Sequence, residues 1–97
     1  MAEVRHSRRA RSDLKRIWRY IALDSEAAAD RFLGRIGRRL EDLAIFPQSG
    51  SPQDDLRPGP RMPIVAGYRI LYEYEAAADF VTIVAIVEPY RNLDDLL

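Results

Sequence analysis

Residues 68–87 read YRILYEYEAAADFVTIVAIV. Two eight-residue runs flank the tetrapeptide AAAD at 76–79. Successive strand side chains point to opposite faces, so Tyr68, Ile70, Tyr72 and Tyr74 share one face of the first run. Arg69, Leu71, Glu73 and Glu75 share the other. AAAD is the length of a hairpin loop, and both runs are rich in β-branched or aromatic residues. FVTIVAIV is apolar on both faces, which predicts a central strand. Working outward, Gly67 suits a tight turn, and RMPIVA at 61–66 predicts a third strand. Pro63 cannot donate to a ladder, so that strand belongs at an edge or is entered late.

Upstream, PQSGSPQDDLRPGP at 47–60 is a loop by composition, with four prolines and two glycines. It is the main break in the chain. It is not a domain boundary, because neither half is large enough to bury a core alone, so residues 1–97 are expected to form one domain.

Before the loop the period changes. Ala10, Leu14, Ile17 and Ile21 recur every three or four residues, the stripe of an amphipathic helix. Trp18 lies beside Leu14 and is expected to join the core. Ala29, Leu33, Ile36, Leu40 and Leu43 form a second stripe, which Pro47 stops. Ser7 is a candidate N-cap for the first helix, and Asp24 or Ser25 for the second. Two amphipathic helices on a short link pack as an antiparallel hairpin. AEVRH at 2–6 alternates as a short strand. The whole reads β-α-α-β-β-β: class α+β, a helical hairpin on a twisted antiparallel sheet.

Composition narrows function. Apolar residues make up 47% and charged residues 31% of the 97, the balance of a globular chain. There is no cysteine and only one histidine. Thiolate chemistry is therefore excluded and a zinc or iron site is not expected. No cofactor, membrane contact or small-molecule substrate is expected. No run approaches the roughly 20 apolar residues of a membrane span and no leader pattern opens the chain, so a cytoplasmic location is expected. Net charge is zero but unevenly spread. Residues 1–50 carry eleven Lys/Arg against seven Asp/Glu, and residues 51–97 carry four against eight.

Candidate chemistry is sparse. Arg61 and Arg69 fall on adjacent strands, and Glu88, Tyr90 and Arg91 follow the last one. Together they could hold a phosphate or carboxylate, with Tyr90 or Glu88 moving a proton. The alternative is that the arginines pair with Glu73, Glu75 or Glu88 on a solvated sheet face. His6 is given no role. Asp54-Asp55 and Asp94-Asp95 are read as solvated carboxylates. Lys15, Arg16 and Arg19 cover the first helix.

The ordered set Asp13-Leu14, Ile17-Trp18, Tyr20-Ile21, Ala29, Phe32, Ile36, Leu43, Pro47, Gly50, Arg61, Tyr68, Ile70, Tyr72 and Arg91 resembles the ParE branch of the RelE/ParE superfamily of bacterial toxins. The resemblance covers nearly the whole chain. It implies the toxin of a type II toxin–antitoxin pair and a ParD-like antitoxin whose C-terminal segment folds over it. It also implies a hetero-oligomeric complex that binds operator DNA through the antitoxin. Characterised ParE-type members poison DNA gyrase by binding it, whereas RelE-type members cut mRNA in the ribosome. Zero net charge, the IWRYIA helix and the P-x-x-G loop favour the ParE branch. The alternative is a ribosome-dependent endoribonuclease using Arg61, Arg69, Glu88, Tyr90 and Arg91. Contact candidates for antitoxin or target are Lys15, Arg16, Arg19, Arg61, Arg69, Tyr90 and Arg91.

Overall fold

The computed structural model describes residues 1–47 and 63–89. The elements are β1 (Glu3–His6), α1 (Arg8–Ala22), α2 (Glu26–Ile45), β2 (Ile64–Val65), β3 (Tyr68–Glu75) and β4 (Phe80–Val87). This is the α+β order read from the sequence. Ser7 caps α1, its Oγ accepting the Ala10 N–H at 2.9 Å. Ser25 caps α2 in the same way, accepting the Ala28 N–H at 3.1 Å. The Phe46 N–H closes the last turn of α2 on the Asp42 carbonyl, and Pro47 cannot extend it. The Pro47 carbonyl accepts the Tyr72 hydroxyl at 2.6 Å, tying the end of α2 to the sheet.

The strands lie in the order β1-β4-β3-β2. β4 is central and β2 is an edge, as its composition and Pro63 predicted. Ala66 and Gly67 have φ of 53° and 85°. Two consecutive positive φ values are the requirement of a two-residue type I′ hairpin. The sheet is not wholly antiparallel, however. β2, β3 and β4 form an antiparallel meander, but β1 pairs parallel to β4, with Glu3 opposite Phe80 and His6 opposite Ile83. Parallel partners far apart in sequence leave no local trace.

β4 also carries a bulge. Leu71 faces Ala85 but Tyr72 faces Ile83, so Val84 is the extra residue. The bulge moves the core-facing phase from Val81 and Ile83 to Ile86. That explains why the strand is apolar throughout: Ala85 and Val87 are buried as well. The core joins Ala10, Ile17, Phe32, Ile36 and Leu43 of the helices to Ile70, Tyr72, Val81, Ile83 and Ile86 of the sheet. Two positions correct the expected stripes. Phe32, not Leu33, faces the sheet, with its ring 4.9 Å from that of Tyr68. Trp18 is half-buried on the seam between the helices, where its indole N–H donates to Asp30 at 3.0 Å. A buried indole needs such a partner, and the apolar interior of the sheet offers none. Among the described residues no helix is long and apolar enough to cross a membrane.

Candidate functional site

α1 takes over from β1 as the neighbour of β4. The β1–β4 ladder ends at His6 and Ile83, and the Ser7 N–H still reaches the Ile83 carbonyl at 2.9 Å. Beyond it the backbone of β4 is met by side chains of α1. The Ser7 hydroxyl donates to the Val84 carbonyl at 2.7 Å. The Asp13 carboxylate accepts the Ile86 N–H at 3.1 Å. Arg16 then donates to Glu88 through Nε at 3.0 Å and again through Nη2. The geometry follows from two rises. Nine helical residues, 7 to 16, climb about 14 Å, and four strand residues, 84 to 88, climb about 13 Å. Helix and strand therefore run side by side in step.

Asp13 is almost wholly buried. Its other oxygen accepts Arg16 Nη1 at 2.8 Å, and Arg9 Nε stands 3.7 Å from the oxygen that takes the Ile86 N–H. Arg16 thus bridges two buried carboxylates, Asp13 and Glu88. Their hydrogen bonds, Asp13's first, raise its pKa above the ordinary guanidinium value, so its charge is fixed at any working pH. From the sheet, Arg69 Nη2 donates to the Glu88 carbonyl at 3.3 Å. Pro89 lies against the I′ turn, its Cγ 3.2 Å from where a Cβ on Gly67 would stand. The path of the chain leaving β4 is therefore held by α1, β3 and the β2–β3 turn together.

Of the expected constellation, Arg69 and Glu88 are brought together, and Arg16 joins them from the helix. Arg61, Tyr90 and Arg91 lie outside the described residues. Lys15 and Arg19 sit elsewhere, on the outer side of α1. There, Leu14, Lys15, Trp18, Arg19 and Leu33 line an open groove of about 240 Å³ along the α1–α2 seam. Arg8, Arg11, Lys15 and Arg19 form an exposed stripe beside it, and none makes an ion pair among the described residues. No group of three or more His, Asp or Glu among the described residues is placed to hold a metal ion.

Asp13 carries a signal of its own in the sequence. It stands three residues after Ala10 and four before Ile17, in phase with the buried face, and an acid there must find partners inside.

The fold of this helical hairpin on a four-stranded mixed sheet is similar to that of solved proteins from bacterial toxin–antitoxin systems. The chain resembles one from a chromosomal ParDE system of P. aeruginosa, at 18% identity and a TM-score of 0.71, covering 91% of this chain and 96% of the other. It resembles one from the intact RelBE toxin–antitoxin complex of E. coli, at 14% identity and 0.62, covering 94% and 100%. A third likeness is to the RelBE2 toxin–antitoxin complex of Mycobacterium tuberculosis, at 25% identity and 0.62, covering 90% and 96%. No curated protein matches in sequence. Residues 4–88 match the family described as the ParE toxin of the type II toxin–antitoxin system, parDE, and the chain belongs to that family.

Proposed function

We propose that this toxin acts by binding DNA gyrase and is neutralised by a ParD-like antitoxin. The observation that carries the reading is the family match over residues 4–88. Glu88 is buried and its Oε1 accepts twice from Arg16, which ties this carboxylate into the packing of α1 against β4. The antitoxin reading draws support from the α1 surface, where cations that make no ion pair among the described residues flank an apolar groove. An acidic, amphipathic segment complements both.

The test is a purified supercoiling reaction. Micromolar toxin should block supercoiling of relaxed plasmid by gyrase, and cognate antitoxin should restore it. Unimpaired supercoiling, with codon-linked cuts in translated mRNA seen by primer extension, would replace this reading with the endoribonuclease one. In that case Arg61, Arg69 and Arg91 would hold the phosphate, and Tyr90 or Glu88 would move the proton.

A further inference from the structure

α1 carries six cations and one acid. The acid, Asp13, is buried and accepts from the Ile86 N–H and from Arg16. No exposed carboxylate of α1 therefore offsets the charge on its outer side. Arg9 and Arg16 are paired with Asp13. Arg8, Arg11, Lys15 and Arg19 remain, all exposed and in no ion pair among the described residues. At about 100° and 1.5 Å per residue these four fall within an arc of about 80° and a length of about 16 Å.

Arg8 and Arg11 stand in the first turn, which holds no acid. Cations there oppose the positive end of the helix dipole. The arrangement works against the helix and in favour of an external anion. Glu73 and Glu75 are exposed and alternate with the core residues Ile70 and Tyr72, so they lie on the sheet face turned away from the helices. Screening over about 8 Å at physiological ionic strength lets the cationic side act by itself, despite zero net charge.

The pattern also selects among polyanions. Surfaces for single strands interleave aromatic rings with cations. No position of the stripe is aromatic, and Trp18 beside it is half-buried with its N–H on Asp30. An acidic amphipathic peptide suits the groove, but Arg8 and Arg11 lie outside the groove lining. They call for a partner whose charge continues past the groove at even intervals. Duplex DNA supplies it, with one phosphate per roughly 3.4 Å of axis on each strand, and arginine forks match phosphate oxygens.

We propose that the Arg8–Arg11–Lys15–Arg19 stripe binds the phosphate backbone of duplex DNA without reading its sequence. An antitoxin segment seated in the groove covers Lys15 and Arg19 and so competes with the duplex. This inference goes beyond the gyrase reading and is tested without gyrase, so the failure of either leaves the other standing.

The test is the fluorescence anisotropy of a labelled short duplex titrated with the toxin alone. Four phosphate contacts predict a log–log salt slope of about −3.6, an affinity loss of about 150-fold between roughly 50 and 200 mM salt. Scrambling the duplex sequence should change nothing. Arg8→Gln with Arg11→Gln should roughly halve the slope and leave the far-UV circular dichroism unchanged, since both side chains are exposed. Arg31→Gln with Arg35→Gln, exposed on the side of α2 turned away from Leu33, should leave affinity and slope as they were. No anisotropy change at tens of micromolar toxin in about 50 mM salt would overturn the proposal. So would an unchanged slope in the Arg8/Arg11 variant, or an equal loss in the Arg31/Arg35 variant. Binding of poly-glutamate where the duplex does not bind would also overturn it, since the stripe would then belong to an acidic polypeptide.

Discussion

A single buried carboxylate organises the end of the sheet. Asp13 gives one oxygen to a strand amide and the other to Arg16, which carries the contact on to Glu88. Removing it leaves the Ile86 N–H without its acceptor and strips Arg16 of one partner. Asp13→Ala is expected to cost about 2–3 kcal/mol in urea unfolding, because a buried donor loses a charged acceptor. Asp13→Asn keeps an oxygen for the amide and should cost visibly less; equal losses would mean that the strand contact is unimportant. The histidine behaves differently. Burial, then the positive charge of Arg11, lowers the His6 pKa below its ordinary 6.5. Protonation is thus harder in the folded state than in the unfolded one. Its contribution to stability is complete above pH 6.5 and is lost as pH falls through the lower, folded value. His6→Gln should flatten the stability profile just below 6.5, and an unchanged slope would remove His6 as the cause. At this scale the sequence was partly readable. Arg69 and Glu88 were expected to meet, because each is fixed near a strand end by alternation. The Asp13–Arg16–Glu88 bridge was not, since it depends on a helix and a strand rising in step.

At the level of elements, caps and turns were legible because each depends on a few neighbouring residues. Ser7, Ser25, Pro47, Gly67 and the AAAD loop all stand where local chemistry places them. The parallel seat of β1 was not legible, because it pairs segments over 70 residues apart in the chain; the bulge at Val84 was not legible either, because a strand that is apolar on both faces carries no alternation to show a change of phase. Leu33 was read into the core because its spacing from Ala29 and Ile36 is right. The sheet selects Phe32 instead, one position earlier, through Tyr68. The β2–β3 turn offers a direct check. Ala66 holds a positive φ, which costs a residue with a Cβ about 1 kcal/mol or more. Asn tolerates that region and Asn-Gly is the favoured pair for this turn. Ala66→Asn should therefore raise stability by about 0.5–1 kcal/mol, read as a higher urea midpoint at constant slope. A lower midpoint would show that the turn is not of this type.

Across the whole molecule, zero net charge conceals a separation of charge between the two halves, and the helical half places its cations outward. An antitoxin segment that binds this surface through acidic residues should lose affinity steadily as salt rises, since exposed pairs are screened over about 8 Å at physiological ionic strength. Titration by calorimetry at several salt concentrations measures it, and a flat response would remove the charge component. We propose that this ParE-family chain poisons gyrase by contact. The most direct measurement is the amount of linear plasmid released by detergent and protease from gyrase reactions run with increasing toxin. The account predicts that linear DNA accumulates with toxin and disappears when antitoxin is added first. Plasmid that stays intact at micromolar toxin, while translated mRNA is cut, would contradict it.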